Sequence, residues 1–245
     1  MSIEDLNGLE ILEGILTSIF VIISIMVGLG ILLRFLKYKK KELITVGASW
    51  LCISTPWWGN TFSFLLYIIA DVTLPQFTYL FIENVFIPIA LVVWIYSFTY
   101  LAYPHLTKKL TIVFSIVCGA YDLFVIIALV VKPELIGTLE GRFDSNHTII
   151  PNAFRIFAII VVLITGSIFA LKSMKSRTKI ISLKGKFLLL GFISFLLGAL
   201  LDAFLSFAPL ELIIIRALLI SSAIEYYLGF YMPQKIANLF IREKV

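Results

Sequence analysis

Charged residues are scarce in this chain of 245 residues. They make up 14% of it, against 60% for hydrophobic residues, and the mean hydropathy is +1.04. A soluble domain usually has about a quarter of its residues charged. Long apolar runs occupy most of the sequence and leave no room for a folded soluble domain. We therefore predict an integral membrane protein in contact with lipid, with no nucleic-acid partner despite its net charge of +5.

Cysteine and histidine are equally rare. Cys52 and Cys118 both fall in apolar runs, so a structural disulfide is not expected. His105 and His147 lie in predicted loops on opposite sides of the membrane, which excludes a histidine–carboxylate zinc site. GxSxG motifs and phosphate-binding glycine loops are also missing from the sequence. We expect no catalytic residues, no metal, no cofactor and no enzymatic activity.

The apolar runs predict the fold. A transmembrane helix needs about 20 predominantly apolar residues. The chain is predicted to be an all-α, seven-transmembrane helix bundle forming a single domain over 1–245, with 233–245 as a short amphipathic helix on the membrane surface. The predicted spans are 11–36, 43–70, 76–103, 110–131, 152–172, 187–208 and 211–232.

The basic residues predict the orientation. Of the 20 lysine and arginine residues, 16 lie in 34–42, 104–109, 172–186 and the tail from Pro233. Cytoplasmic loops carry the excess of lysine and arginine. We therefore expect a multi-pass protein of the cell membrane, with the N-terminus outside and the C-terminus in the cytoplasm.

Polar residues inside the spans identify a candidate ligand site. Such groups are costly in lipid and normally face the interior of a bundle. The candidates, placed in the outer half of the membrane, are Trp57, Asn60, Tyr79, Glu83, Asn84, Asp122, Asp202 and Arg216. Arg216 is expected to pair with one of the three acids. Less specific interpretations are that Arg216 extends to the membrane surface, that the acids form hydrogen bonds between helices, and that the tryptophan only packs.

Arg216 and Glu225 lie in the same predicted helix. Nine residues rotate a helix by about 180°, so the two side chains leave opposite faces and cannot pair. Glu225 is placed in the inner half together with Ser221 and Ser222. Pro56 and Pro88 are expected to kink the second and third spans, since proline removes a helical hydrogen bond.

The last predicted span contains no lysine, which excludes a retinal Schiff base there. The span ends with LGFYMP, residues 228–233. This turn and the seven-span layout resemble the seven-helix N-terminal sensor region of microbial histidine kinases. The resemblance implies a stand-alone sensor module without a kinase domain, which needs a signalling partner in the cytoplasm or the membrane.

These patterns leave three functions open. A receptor-like sensor would bind a small ligand from the outside in the polar layer and bend at its two prolines. A transporter or channel would use Glu83, Asp122, Asp202 and Glu225 as a proton or cation path. A structural subunit of a membrane complex would bury the same charges at helix contacts. We expect the sensor.

Overall fold

A computed structural model describes residues 6–204 and 208–241 of the chain. The fold is all-α apart from one small β-hairpin. The helices are α1 (Gly8–Tyr38), α2 (Glu42–Ile53), α3 (Trp58–Ala70), α4 (Gln76–Ala102), α5 (Thr107–Val131), α6 (Ile149–Met174), α7 (Lys179–Phe204), α8 (Pro209–Phe230) and α9 (Gln234–Phe240). The strands are β1 (Gly137–Glu140) and β2 (Asp144–His147), and short 3-10 turns cover Thr55–Trp57, Pro104–Leu106 and Pro133–Leu135.

Six helices of the described chain, α1 and α4 to α8, are long and apolar enough to cross a membrane. This is the architecture of a multi-pass, all-α membrane protein, as the composition predicts. The predicted second span, 43–70, differs from expectation because it forms two shorter helices, α2 and α3.

The interruption falls at Pro56, where the sequence predicts a kink. Pro56 cannot donate a backbone hydrogen bond, and the chain forms a 3-10 turn instead of continuing α2. The hydroxyls of Ser54 and Thr55 donate to the carbonyls of Leu51 and Cys52 at the end of α2. These side chains satisfy carbonyls that would otherwise lose their backbone donor, so α2 can end here. At Pro88, by contrast, α4 is continuous.

The helices form a closed ring. Each of the neighbouring pairs α1–α2, α2–α4, α4–α6, α6–α7 and α7–α8 packs together, and α8 packs on α1. The helix α5 packs mainly on α4 and presents much of its surface outward. Side chains that point inward from the ring helices therefore share one interior, whereas α5 contributes little to it.

The connection between α5 and α6 folds over one end of the ring. Strands β1 and β2 pair antiparallel, from Gly137 opposite His147 to Glu140 opposite Asp144. The Phe143 ring packs edge-on against the rings of Phe64 and Tyr67. We call the end of the ring that the hairpin covers, where α1, α4, α6 and α8 begin, the hairpin end. The opposite end, with the connections 39–41, 103–106 and 175–178, is the basic end.

The predicted amphipathic tail forms the short helix α9 at the basic end. Ala237 is buried, Phe240 makes an edge contact with Phe187, and Leu239 is 77% exposed. Residues 242–245 of the predicted tail and 205–207 of the sixth predicted span lie outside the described residues.

Candidate functional site

A cavity of about 680 Å³ lies inside the ring at the hairpin end. The side chains that line it come from α1, α2, α3, α4, α6, α7, α8, the 3-10 turn at Thr55–Trp57 and both strands of the hairpin. Sites for small molecules commonly occupy about 300–1,000 Å³. The ionisable residues of the lining are Glu13, Glu83, Glu140, Asp144, Asp202, Arg155, Arg216 and His147.

Arg216 stands at the centre of one polar group. Its side chain is 3% exposed, and Nη1 lies 2.5 Å from Oδ1 of Asp202 on α7. From α1, Thr17 Oγ1 accepts a hydrogen bond from Nε at 3.0 Å, and Glu13 lies 3.8 Å from Nη2. The predicted pairing of Arg216 with an acid is confirmed for Asp202. Extension to the membrane surface is wrong, since the guanidinium is buried.

Asp202 also connects the interrupted second span to the polar group around Arg216. The indole Nε1 of Trp57 donates to Oδ2 of Asp202 at 2.7 Å. Trp57 belongs to the 3-10 turn, and its ring makes edge contacts with Phe20 and Phe195. The interruption at Pro56 thus coincides with the point where this chain segment reaches the ion pair. A movement of the Asp202 side chain would therefore be passed directly to the 3-10 turn through Trp57.

Asn60 bridges α3 and α1. Its amide Nδ2 donates to Oε1 of Glu13 at 3.2 Å. Asn60 is 7% exposed, and its Oδ1 is buried without a hydrogen-bond partner among the described residues. This leaves a carbonyl acceptor in the cavity lining available to a ligand.

Glu83 forms a second polar group beneath the hairpin. Its side chain is 5% exposed, and Oε2 accepts a hydrogen bond from Ser145 Oγ at 2.8 Å. His147 Nε2 lies 3.3 Å and Arg155 Nη2 3.7 Å from the same oxygen. The contacts join α4, β2 and α6, so the hairpin is held to the helices through one buried carboxylate.

His147 lies between charged groups of opposite sign. Burial and the neighbouring Arg155 lower its pKa from 6.5, against the opposing influence of Glu83. Asn84 Nδ2 lies 3.2 Å from His147 Nε2, and Arg155 donates to Asn84 Oδ1 at 3.5 Å. Asn84 stands behind the cavity wall rather than in the lining, so it holds the wall residues in place.

Six of the eight candidate residues from the sequence line the cavity, and two do not. The lining members are Trp57, Asn60, Tyr79, Glu83, Asp202 and Arg216. Tyr79 is 1% exposed and donates to the carbonyl of Phe143 at 2.6 Å, which fixes the hairpin. Asn84 lies behind the lining residues, as described above.

Asp122 does not line the cavity, unlike Glu83 and Asp202. Asp122 lies on α5, outside the cavity lining, and its Oδ1 has no hydrogen-bond partner among residues 6–204 and 208–241. Helical spacing places Asp122, Gly119 and Ser115 on one face. That spacing cannot tell which way the face points, and here Gly119 and Ser115 are exposed.

Glu225 is separate from the cavity. A Cβ built on Gly191 of α7 would lie 3.2 Å from the Glu225 Cβ, and Ser194 of the same helix hydrogen-bonds to the carboxylate. Ser221 and Ser222 donate to carbonyls of their own helix. This polar group therefore belongs to the contact between α7 and α8.

Aromatic side chains close the floor of the cavity. Ile53 and Phe195 line both the main cavity and a smaller one of about 20 Å³ beyond it. Below them Trp50 stacks on Tyr226 with ring centroids 4.3 Å apart, and Trp50 also contacts Phe195 at 5.8 Å. Buried rings thus lie between the polar cavity and the basic end.

Four important residues are not among the candidates from the sequence. Glu13 sits in the second turn of α1, where an acid is expected at a helix N-terminus outside the membrane. Arg155 similarly begins α6. Ser145 and His147 belong to a strand, DSNH, without apolar alternation. The length of the connection 132–151 is the one signal in the sequence that could have directed attention to Ser145 and His147.

Comparison with known proteins adds no family to these observations. No protein-family model matches the chain, and no curated protein matches it in sequence. The fold and the cavity define a class: an all-α, multi-pass membrane protein with a polar cavity inside the ring of helices.

Proposed function

We propose that this protein is a seven-transmembrane, receptor-like sensor of the cell membrane. A small ligand enters the cavity from the hairpin end, and the signal passes through the helices to a partner in the cytoplasm or the membrane. The observation that carries the proposal is a polar cavity with an aromatic floor, built by seven helices and a hairpin.

The seventh crossing is made by α2, the 3-10 turn and α3 together. The helix α2 begins next to the end of α1, at the basic end, and α3 leads to α4 at the hairpin end. Together, α2 and α3 therefore run from one end of the ring to the other. With this crossing included, the charge bias places the basic end in the cytoplasm and the hairpin outside.

The aromatic side chains provide a route for the signal. Trp57 is bonded to Asp202 in the cavity wall and contacts Phe195, which contacts Trp50. Trp50 stacks on Tyr226, whose hydroxyl donates to the Val46 carbonyl of α2. A ligand that binds one arrangement of the broken helix more tightly than another shifts the equilibrium between them.

The resemblance of LGFYMP to sensor regions of histidine kinases agrees with this direction of signalling. The motif ends α8 and leads into α9, at the basic end. Arg34 donates to the hydroxyl of Tyr227 at 2.7 Å and lies over the Tyr231 ring, so α1 is joined to this turn. Movements of α8 therefore reach the surface where a partner would bind.

A transporter would need a connected polar path, and the arrangement of groups favours the sensor. Glu225 contacts α7 through Ser194 and Gly191, whereas the cavity lining ends at Ile53 and Phe195. Buried rings are poor ligands for a passing ion because they offer no oxygen to replace its hydration shell.

Reconstitution in liposomes tests the proposal. We expect neither proton nor cation flux from the wild-type chain. Glu83→Gln removes the charge of a buried lining residue, and Glu134→Gln is the control because Glu134 is exposed and outside the lining. Flux that Glu83→Gln abolishes and Glu134→Gln preserves would replace the sensor with a transporter.

A further inference from the structure

The cavity lining carries an excess of negative charge. Its five acids, Glu13, Glu83, Glu140, Asp144 and Asp202, face two arginines, Arg155 and Arg216. His147 adds no compensating charge at neutral pH, since its pKa lies below 6.5. By formal charge, the lining has three more acidic than basic side chains, counting the arginines as its basic residues. The potential in such a cavity attracts cations.

The two arginines are already engaged. Arg216 is 3% exposed and holds Asp202 and Glu13, and Arg155 lies beside Glu83. An anionic ligand would have to take a guanidinium from a carboxylate and leave that carboxylate buried. Breaking a buried pair in this way costs about 3–5 kcal/mol. The arginines therefore stabilise the wall instead of offering a free anion site.

An acceptor without a donor belongs to a lining residue at the side of the cavity formed by α1 and α3. Asn60 lines the cavity, is 7% exposed, and its Oδ1 has no hydrogen-bond partner among the described residues. The 3.2 Å bond from Nδ2 to Glu13 fixes the orientation of the amide, because a carboxylate accepts only from the NH₂ side. The carbonyl oxygen of Asn60 therefore lacks a donor, and the Glu13 carboxylate lies beside the same amide group.

We propose that the ligand of this cavity is a small organic cation carrying an ammonium group. This rests on the proposed function and names its ligand class. The ammonium donates to Asn60 Oδ1 and Glu13, and the remaining acids supply its counter-charge. Within residues 6–204 and 208–241 no group of three or more His, Cys, Asp and Glu side chains is arranged to hold a metal ion, which favours an organic cation.

Titration calorimetry on the full chain in phosphatidylcholine nanodiscs tests the proposal. Neutral lipid prevents amines from binding the bilayer itself. The probes are putrescine, γ-aminobutyrate and succinate, which share a chain length and differ in charge. We expect putrescine to bind most tightly, with an affinity that falls as salt is added, because screening weakens its attraction to the acids.

Two variants locate the site. Glu13→Gln should weaken putrescine binding by about tenfold or more, since it removes the charge beside the ammonium. The double variant Glu140→Gln with Asp144→Asn should also weaken it without lowering thermal stability, because both residues are exposed. The control, Glu134→Gln, should bind as the wild type does. Equal binding by all three variants would overturn the proposal.

The other outcomes separate this inference from the proposed function. If putrescine fails to bind, or if succinate or γ-aminobutyrate binds at least as tightly, the cationic ligand is wrong. Saturable binding of succinate that depends on Glu83 or Trp57 would still leave the cavity a ligand site of a sensor. Ion flux abolished by Glu83→Gln would instead overturn the sensor itself.

Discussion

Arg216, on α8, contacts two other helices through one guanidinium. Asp202 contacts it from α7, and Thr17 and Glu13 contact it from α1. The burial of a charge is costly, and here the cost is offset by acceptors on several nitrogens. Loss of the guanidinium would leave the carboxylate of Asp202, whose side chain is 18% exposed, without its cation.

We predict that Arg216→Leu lowers the free energy of unfolding by about 3–5 kcal/mol, since one partner of a buried pair is removed. Lys132→Leu is the control because Lys132 is exposed after the end of α5. Thermal unfolding in detergent measures both. Adding Asp202→Leu to Arg216→Leu should recover part of the loss. Equal stability of the two single variants would contradict a structural role for the pair.

Helix periodicity predicts some of these contacts and misses others. It shows that Arg216 and Glu225 cannot pair, and it places Arg216, Asp202 and Glu83 in one layer. It does not identify Glu13, because an acid near the start of a helix usually lies in solvent. It also cannot orient Asp122, because the spacing of polar residues is the same for an inward and an outward face.

Among the elements, α1 and α2 approach most closely at two glycines. A Cβ on Gly47 would lie 2.6 Å from the carbonyl oxygen of Gly28 and 2.8 Å from the amide nitrogen of Leu32. These are backbone atoms, which cannot rotate away. Small residues allow helices in membranes to pack at such short distances. The contact positions α2, and with it the 3-10 turn below the cavity.

We therefore predict that Gly47→Ala destabilises the protein by about 1–3 kcal/mol through overpacking. Gly119→Ala is the matched control, since a Cβ at that position of α5 meets nothing within 4 Å. Unfolding in detergent, followed by circular dichroism, compares the two. A loss of stability in Gly119→Ala equal to that in Gly47→Ala would argue against the close helix contact.

The bounds of the long helices are predictable because apolar runs determine them, and the finer elements are not. A proline in a predicted span indicates a bend, yet Pro56 ends a helix and Pro88 does not. At Pro56 the hydroxyls of Ser54 and Thr55 bond carbonyls at the end of α2, which compensates for the interruption. The β-hairpin lacks apolar alternation, and its pairing is stabilised by tertiary contacts of Phe143 and Tyr79.

At the scale of the whole molecule, the two ends differ in charge. The connections, helix ends and tail at the basic end together contain most of the lysines and arginines, and the hairpin end carries acids such as Glu140 and Asp144. This asymmetry is the basis of the proposed orientation. In that proposed orientation, the cavity with its acidic lining would open to the outside.

We predict that a cysteine at position 140 reacts with a membrane-impermeant maleimide in intact cells and that a cysteine at position 39 reacts only after lysis. Both residues are exposed, so access depends on the side of the membrane. The background carries Cys52→Ala and Cys118→Ala, which removes the native thiols. Labelling of position 39 in intact cells would reverse the orientation.

The ring of helices closes through contact between the first span and the last. Glu13 and Thr17 enter the bilayer early in synthesis, whereas Arg216, 199 residues after Thr17, arrives at the end. Asp202 lies only 14 residues before Arg216, so this pair can insert as one helical hairpin with its charges already neutralised. Because chains emerge N-terminus first, the cavity comes into being only when α8 docks on α1. Products truncated before α8 thus carry an incomplete cavity, so an assembled cavity is evidence that α8 has been made and inserted.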